Sequence, residues 1–385
     1  MMEHQEILHR CFRCGYCKLP GSYQDINCPS YQALRFETFS PGGRMWLLRA
    51  FLQGEIPASA RLSEILFSCA ACGNCTEHCV FPKFKDRLLE AFIAGRGELI
   101  NAGAVPGAVK KVFESVYGYG NAFGLPRAER GKWAQGLGLE PYGGQEYLLY
   151  IGCEGSFDER GQVMARAAAG LLREWGVSFG VLGADEQADG NEIRAMGESA
   201  LFEHLARQNI EAFGRLGVRK IIALSPHAYH AFNNYYPRLG GVFEVLHYSQ
   251  VLQRLAVEKG PGRSGEPLEV TYHDPCYLGR HNLEYDAPRQ VIRSLPGVEL
   301  REMDRARADA LCCGGGGGNF YTGIMAGGAD SPSRVRVREA AETRASRLVV
   351  ACPTCAKMLD DAVKAEDLQD TLRVMDLAEL IASRQ

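Results

Sequence analysis

The chain has 385 residues, 46% hydrophobic and 23% charged, with a formal charge of −3. Such a length and composition predict a globular protein of roughly two to three domains. The small net charge, with no basic stripe interleaved with aromatics, argues against a nucleic-acid partner.

No apolar run approaches the ~18 residues that a membrane span requires. Met1-Met2-Glu3-His4-Gln5-Glu6 lacks the basic head and apolar core of a secretory signal. The expectation is a cytoplasmic protein, and in a reducing compartment fourteen cysteines point to metal or redox chemistry rather than disulfides.

The first informative segment is Cys11-Phe12-Arg13-Cys14-Gly15-Tyr16-Cys17, followed after ten residues by Cys28-Pro29. The second is Cys69-Ala70-Ala71-Cys72-Gly73-Asn74-Cys75, with Cys79 after it and Pro82 three places further on. Three thiolates at two-residue spacing can grip one four-iron cubane, while the fourth cysteine points toward the other cluster. The expected sets are therefore Cys11, Cys14, Cys17 and Cys79 for one cubane, and Cys69, Cys72, Cys75 and Cys28 for the other. The loop from Lys18 to Asn27 lengthens the first run, and Val80 stands where proline would follow Cys79. Two all-thiolate zinc sites are the alternative, but they would leave the three-plus-one pattern unused.

Between the runs, Pro41-Gly42-Gly43-Arg44 reads as punctuation, with Arg44 at a solvated helix start. Residues Met45 to Leu52 and Leu62 to Phe67 have helical spacing, as does the stretch after Pro82 through Leu88, Leu89, Phe92 and Ile93. These elements predict an all-helical ferredoxin domain with a connector over residues 1–143, including a helix near Val109 to Tyr117. Strand and helix then alternate. Buried strands are expected at Tyr147 to Ile151 and Lys220 to Leu224, with helices at Val163 to Trp175 and Ala200 to Phe213. Further strands are expected at Leu268 to His273 and Arg347 to Ala351.

The second pair of strands repeats the first, which predicts two α/β units, 144–262 and 263–385. Cys153 then corresponds to Cys276, and Ser225 to Cys352. The first unit keeps only Cys153, with Asp189, Ser225 and Ala228 at or near the places of the missing thiols; Cys153 alone reads as an apolar filler. In the second unit Cys276, Cys312, Cys313, Cys352 and Cys355 form one expected site. The glycine run Gly314 to Gly318 supplies unusual backbone beside the paired cysteines and N–H groups for an anionic cluster, chiefly from Gly314, Gly315 and Gly316. His273 and His281 read as candidate donors beside Cys276, whereas His227, Tyr229 and His230 read as packing. A thioredoxin-like pair at Cys352 and Cys355 is a narrower alternative that leaves three cysteines idle.

The paired runs, the segment Tyr272-His273-Asp274-Pro275-Cys276-Tyr277-Leu278-Gly279-Arg280-His281 and the later Leu311 to Gly318 resemble one family. It comprises the iron-sulfur subunits of heterodisulfide reductase, glycolate oxidase and anaerobic glycerol-3-phosphate dehydrogenase. The resemblance implies an α+β multidomain protein, an all-helical two-cluster ferredoxin domain followed by a duplicated, Rossmann-like cysteine-rich domain. It also implies two [4Fe-4S] cubanes and one further four-iron cluster of noncubane type, held by Cys276, Cys312, Cys313, Cys352 and Cys355.

The function expected on this basis is an electron-transfer subunit of a larger oxidoreductase, exchanging electrons with a flavoprotein or another iron-sulfur subunit. No dinucleotide fingerprint follows a strand, so hydride chemistry is expected on another chain. The alternatives are a catalytic heterodisulfide or disulfide reductase subunit, with the five cysteines as active site, and a non-catalytic iron-sulfur sensor or scaffold. The interleaved ligand sets have a direct test in the Cys79→Ser protein, reconstituted anaerobically. It should lose the cluster of the first run and keep that of Cys69, Cys72 and Cys75, as read by electron paramagnetic resonance and iron content; loss of the second-run cluster instead would reverse the assignment.

Overall fold

The computed structural model describes residues 4–259, 265–325 and 327–384. Met1 to Glu3 and the expected boundary between residues 262 and 263 lie outside the described residues. From residue 4 to 140 the described chain is helix and loop without a strand. Helix Pro41–Leu52 begins four residues earlier than the apolar spacing suggests. Ser40 caps it by accepting a hydrogen bond from Gly43 N, and Pro41 occupies the first turn, where its missing N–H costs nothing. Gly43 is there for space: a Cβ on it would stand 2.0 Å from Glu37 O.

Arg44, expected at a solvated helix start, is fully buried. Its guanidinium donates to Ile65 O, Phe39 O and the hydroxyls of Ser30 and Ser68. Those contacts tie the segment around Cys28 to the end of helix Ala60–Phe67, which runs into Cys69. The stretch after Pro82 forms a short turn, Pro82–Lys85, and then the long helix Leu88–Asn101. The connector carries helix Gly107–Tyr119, close to its expected place.

Among the described residues eight strands follow: β1 (Tyr147–Tyr150), β2 (Phe179–Gly180), β3 (Lys220–Ala223), β4 (Glu244–His247), β5 (Leu268–Tyr272), β6 (Val298–Leu300), β7 (Arg347–Val350) and β8 (Arg373–Asp376). They make two four-stranded parallel sheets, ordered β2-β1-β3-β4 and β6-β5-β7-β8. The expected helices are present as Glu159–Glu174 and Ser199–Leu216. Strands β2, β4, β6 and β8 lie at the sheet edges, and their short or polar sequences gave no periodic signal.

Side-chain alternation along the strands sends successive residues to opposite cores. Leu148 and Tyr150 pack with Leu48, Phe67 and Phe92 of the N-terminal helices. Leu149 and Ile151 face a core shared with Val270, Tyr272 and Val349 of the second sheet. Leu348 and Val350 turn to the other side of that sheet, into a cluster that includes Cys72 together with Cys276, Cys312, Cys313, Cys352 and Cys355. Both faces of each sheet are covered, which is why the central strands are continuously apolar. Strands β5 and β7 are hydrogen-bonded neighbours, with Tyr272 opposite Val349, so the loops leaving their carboxyl ends are adjacent; those loops carry Cys276 and Cys352.

A glycine pair separates steric need from conformational cost. Gly43→Ala should destabilise the protein by about 1–3 kcal/mol through the clash with Glu37 O. Gly170→Ala, in helix Glu159–Glu174 with nothing near its added methyl, should stabilise it by about 0.5–1 kcal/mol. Urea unfolding midpoints measure both, and equal effects would refute the steric account of Gly43.

Candidate metal centres

Around the two N-terminal runs, thiols stand close enough to hinder one another's ionisation. Burial pushes the Cys75 thiol up, with Cys69, Cys72 and Cys28 adding to it. Burial also raises Cys79, with Cys11 and Cys14 adding. Cys28 thus stands among the thiols of the second run, and Cys79 beside those of the first. Cys17 stands between them: burial raises it most, followed by Cys75 and Cys28 and then by Cys11 and Cys14. Iron supplies the positive charge that makes such packed thiols ionise.

The five downstream cysteines are all buried and converge. Cys312 Sγ lies 3.8 Å from Cys276 Sγ, and Cys313 Sγ lies 3.3 Å from Cys355 Sγ. Burial disfavours the Cys352 thiolate, but hydrogen bonds from Cys355 and His227 outweigh it and bring its pKa down to about 6. Gly314 N donates to Cys312 Sγ at 3.3 Å. His273 brings a ring nitrogen within 4.8 Å of the sulfurs of Cys313 and Cys355. His273 Nδ1 accepts from Arg336 Nε at 3.2 Å, and His273 Nε2 and Arg336 Nη2 have no hydrogen-bond partner. A buried imidazole N–H beside Cys313 and Cys355 is a donor that a sulfide-bearing iron cluster would satisfy.

The rest of the glycine run serves a seam between segments. A Cβ on Gly316 would stand 2.6 Å from Ala70 O, and one on Gly317 would stand 2.3 Å from Cys69 O. The run lies directly on the loop of the second cysteine run, and Cys72 joins Cys312 in one buried cluster across this contact. His281, a candidate donor from the sequence, reaches Ala71 O at 2.9 Å and so grips the cubane loop. Gly318 N donates to Glu192 Oε2 at 2.7 Å, joining the run to the first sheet's side.

His227, expected to be packing, touches the five-cysteine site. Its Nδ1 pairs with Glu192 Oε1 at 2.7 Å. Burial opposes its charge, but Glu192 and Cys352 outweigh it and raise its pKa. His230 contacts the Tyr235 hydroxyl at 3.0 Å and meets the rings of Tyr277 and His281 edge-on, and Tyr229 meets the His247 ring in the same way. Sequence reasoning also passed over Arg280, four residues after Cys276, whose partners come from a distant loop.

The first unit is built differently. Cys153, expected to be an apolar filler, is buried but receives a hydrogen bond from Arg130 Nη2 at 3.3 Å. Arg130 also pairs with buried Glu186 at 2.7 Å, and Glu186 accepts from Ile151 N and Gly152 N. Ser225 accepts from His227 N, and Asp189 accepts from Asn191 N. The cavity beside Cys153, Glu154, Asp189 and Glu192 measures ≈ 30 Å³, room for about one water.

A family model for a cysteine-rich domain matches residues 270–360, and one for a 4Fe-4S dicluster domain matches residues 7–81. The chain is 36% identical over 337 residues to the EtfAB:quinone oxidoreductase of Syntrophomonas wolfei, an alignment covering 83% of this chain and 46% of that protein. The chain thus spans about half the length of that relative. It is 30% identical to a subunit of the dihydromethanophenazine:CoB--CoM heterodisulfide reductase of Methanosarcina barkeri, covering 97% of this chain and 93% of the relative. In fold it is similar to a hypothetical protein from Helicobacter pylori, with a TM-score of 0.54 at 11% identity, covering 90% of this chain and 67% of the other. With a dicluster domain near its start, a cysteine-rich domain near its end and a relative matched over nearly its whole length, the chain belongs to the family of iron-sulfur proteins that includes this heterodisulfide reductase component.

Proposed function

We propose that the chain is the electron-transfer subunit of a multi-subunit oxidoreductase, relaying electrons between a flavin or iron-sulfur partner and the five-cysteine site. In this reading residues 1–143 form the ferredoxin domain and connector, and 144–262 and 263–385 are duplicated α/β units. Cys11, Cys14, Cys17 and Cys79 hold the cubane nearer the surface, and Cys28, Cys69, Cys72 and Cys75 hold the inner one. Cys276, Cys312, Cys313, Cys352 and Cys355 hold one further four-iron cluster of noncubane type. The clusters supply one-electron storage and transfer when bound.

The observation that carries the reading is a line of contacts from surface to interior. Cys14 is exposed, Cys11, Cys17, Cys69 and Cys79 are half-buried, and Cys28, Cys72 and Cys75 are buried. Cys17 acts electrostatically with Cys75 and Cys28, and Cys72 shares one buried cluster with Cys312. The residues of the inner sites exclude water, hold the sulfurs in place and set cationic side chains beside them. The names of the relatives, an EtfAB:quinone oxidoreductase and a dihydromethanophenazine:CoB--CoM heterodisulfide reductase, support a role among separate redox partners. No helix among the described residues is long and apolar enough to cross a membrane. A cytoplasmic site of action agrees with the large complement of free cysteines.

A cavity of ≈ 260 Å³ favours a second reading, a disulfide reductase with the five cysteines as its active site. It reaches Cys313 and Gly314 and is lined by Phe320, Met325, Arg334 and Met358, so a small substrate could approach that end. The non-catalytic sensor or scaffold has no such observation behind it.

Isolation of the native complex under anaerobic conditions distinguishes the two. The relay reading expects a flavoprotein or iron-sulfur protein to co-purify and its reduction to appear in the clusters of this chain. A lone monomer that reduces a small disulfide at full rate would contradict the relay and favour the second reading.

A further inference from the structure

Arg280 leaves the carboxyl-end loop of β5 and lies 91% buried. Its Nε donates to Cys72 O at 2.8 Å, on the loop of the second cysteine run. Its Nη1 donates to Ala308 O and Ala310 O, just before Cys312 and Cys313. Its Nη2 is buried and has no hydrogen-bond partner. A guanidinium cannot shed its charge, and a buried cation without an anionic neighbour costs several kcal/mol. No carboxylate lies within 4 Å of it among the described residues. The groups that favour its charge most are the sulfurs of Cys72, Cys276 and Cys312.

These three sulfurs belong to two sites. Cys72 is in the inner ferredoxin set, whereas Cys276 and Cys312 are in the five-cysteine set. We infer that Arg280 is a shared counter-ion and positioning residue, its fixed fork holding the two loops together and its remaining N–H buried at the junction of the inner cubane and the five-cysteine cluster. This inference rests on the proposed cluster assignment.

A cation shared by two anionic centres favours the extra electron on either one. Arg280 should therefore raise both midpoint potentials together. The outer cubane is an internal reference, because the hydrogen bonds of Arg280 go to Cys72 O, Ala308 O and Ala310 O and not to the first cysteine run.

The test uses the full-length chain loaded with iron and sulfide, titrated anaerobically with cluster signals followed by electron paramagnetic resonance. Arg280→Gln should shift the midpoints of the inner cubane and the five-cysteine cluster downward together, with the outer cubane unmoved. A shift in only one of the two, in neither, or equally in all three would overturn the inference. Where Arg280→Gln fails to load the two inner sites, Arg280→Lys decides. Restored loading of both sites together supports the shared counter-ion, and restoration of one alone or of neither contradicts it. A wild-type protein showing only the two cubane signals would instead remove the cluster assignment on which the inference stands.

Discussion

The structure depends on letting two cysteine-bearing loops from distant parts of the chain touch without side chains between them. The glycine run after Cys313 meets the Cys69-Ala70 backbone so closely that a single methyl at Gly316 or Gly317 would collide with a carbonyl oxygen. Hydrophobic burial holds the larger pieces together, because the N-terminal helices share one core with the first sheet and that sheet shares another with the second. Within that frame the close approach brings Cys72 to Cys312. A protein could fold with these loops a few ångströms further apart. Electron exchange between their sites would then suffer, since tunnelling falls steeply with distance.

Collecting anionic sulfur in an apolar interior creates an electrostatic cost that the chain meets with buried cations. Arg44 acts near Cys28 and Cys75, Arg96 reaches Cys69 O, Arg280 joins Cys72 to the five-cysteine site, and His227 with Glu192 abuts Cys352. Each also satisfies backbone or side-chain acceptors, so the same residues that balance charge fix the loops in place. Beside the first sheet the buried arginine is Arg130, from the segment before β1, and it faces a carboxylate and a single thiol rather than a group of thiols.

Much of this was legible in the chain. Thiol spacing located the two N-terminal cysteine groups, and four apolar runs located the central strands whose ends carry Cys153, Ser225, Cys276 and Cys352. The edge strands were not legible, because each holds only one or two apolar residues beside glycine or charged and polar ones. The buried roles of Arg44 and Arg280 were hidden for another reason. An arginine looks solvated until the elements that cover it are known, and here those elements lie up to 208 residues away in sequence. His227 carries the same lesson, since its ligand-side contact, Cys352, comes from the other unit.

The central claim is that iron gathers at the two N-terminal thiol sets and at one downstream site, and nowhere in the first α/β unit. Anomalous diffraction at the iron edge, from crystals of the anaerobically loaded chain, tests it most directly. The account expects iron density beside Cys14, beside Cys75 and within the group of Cys276, Cys312, Cys313, Cys352 and Cys355, with none beside Cys153. Comparable density at Cys153 would contradict it and restore paired-cluster heterodisulfide reduction as the leading function.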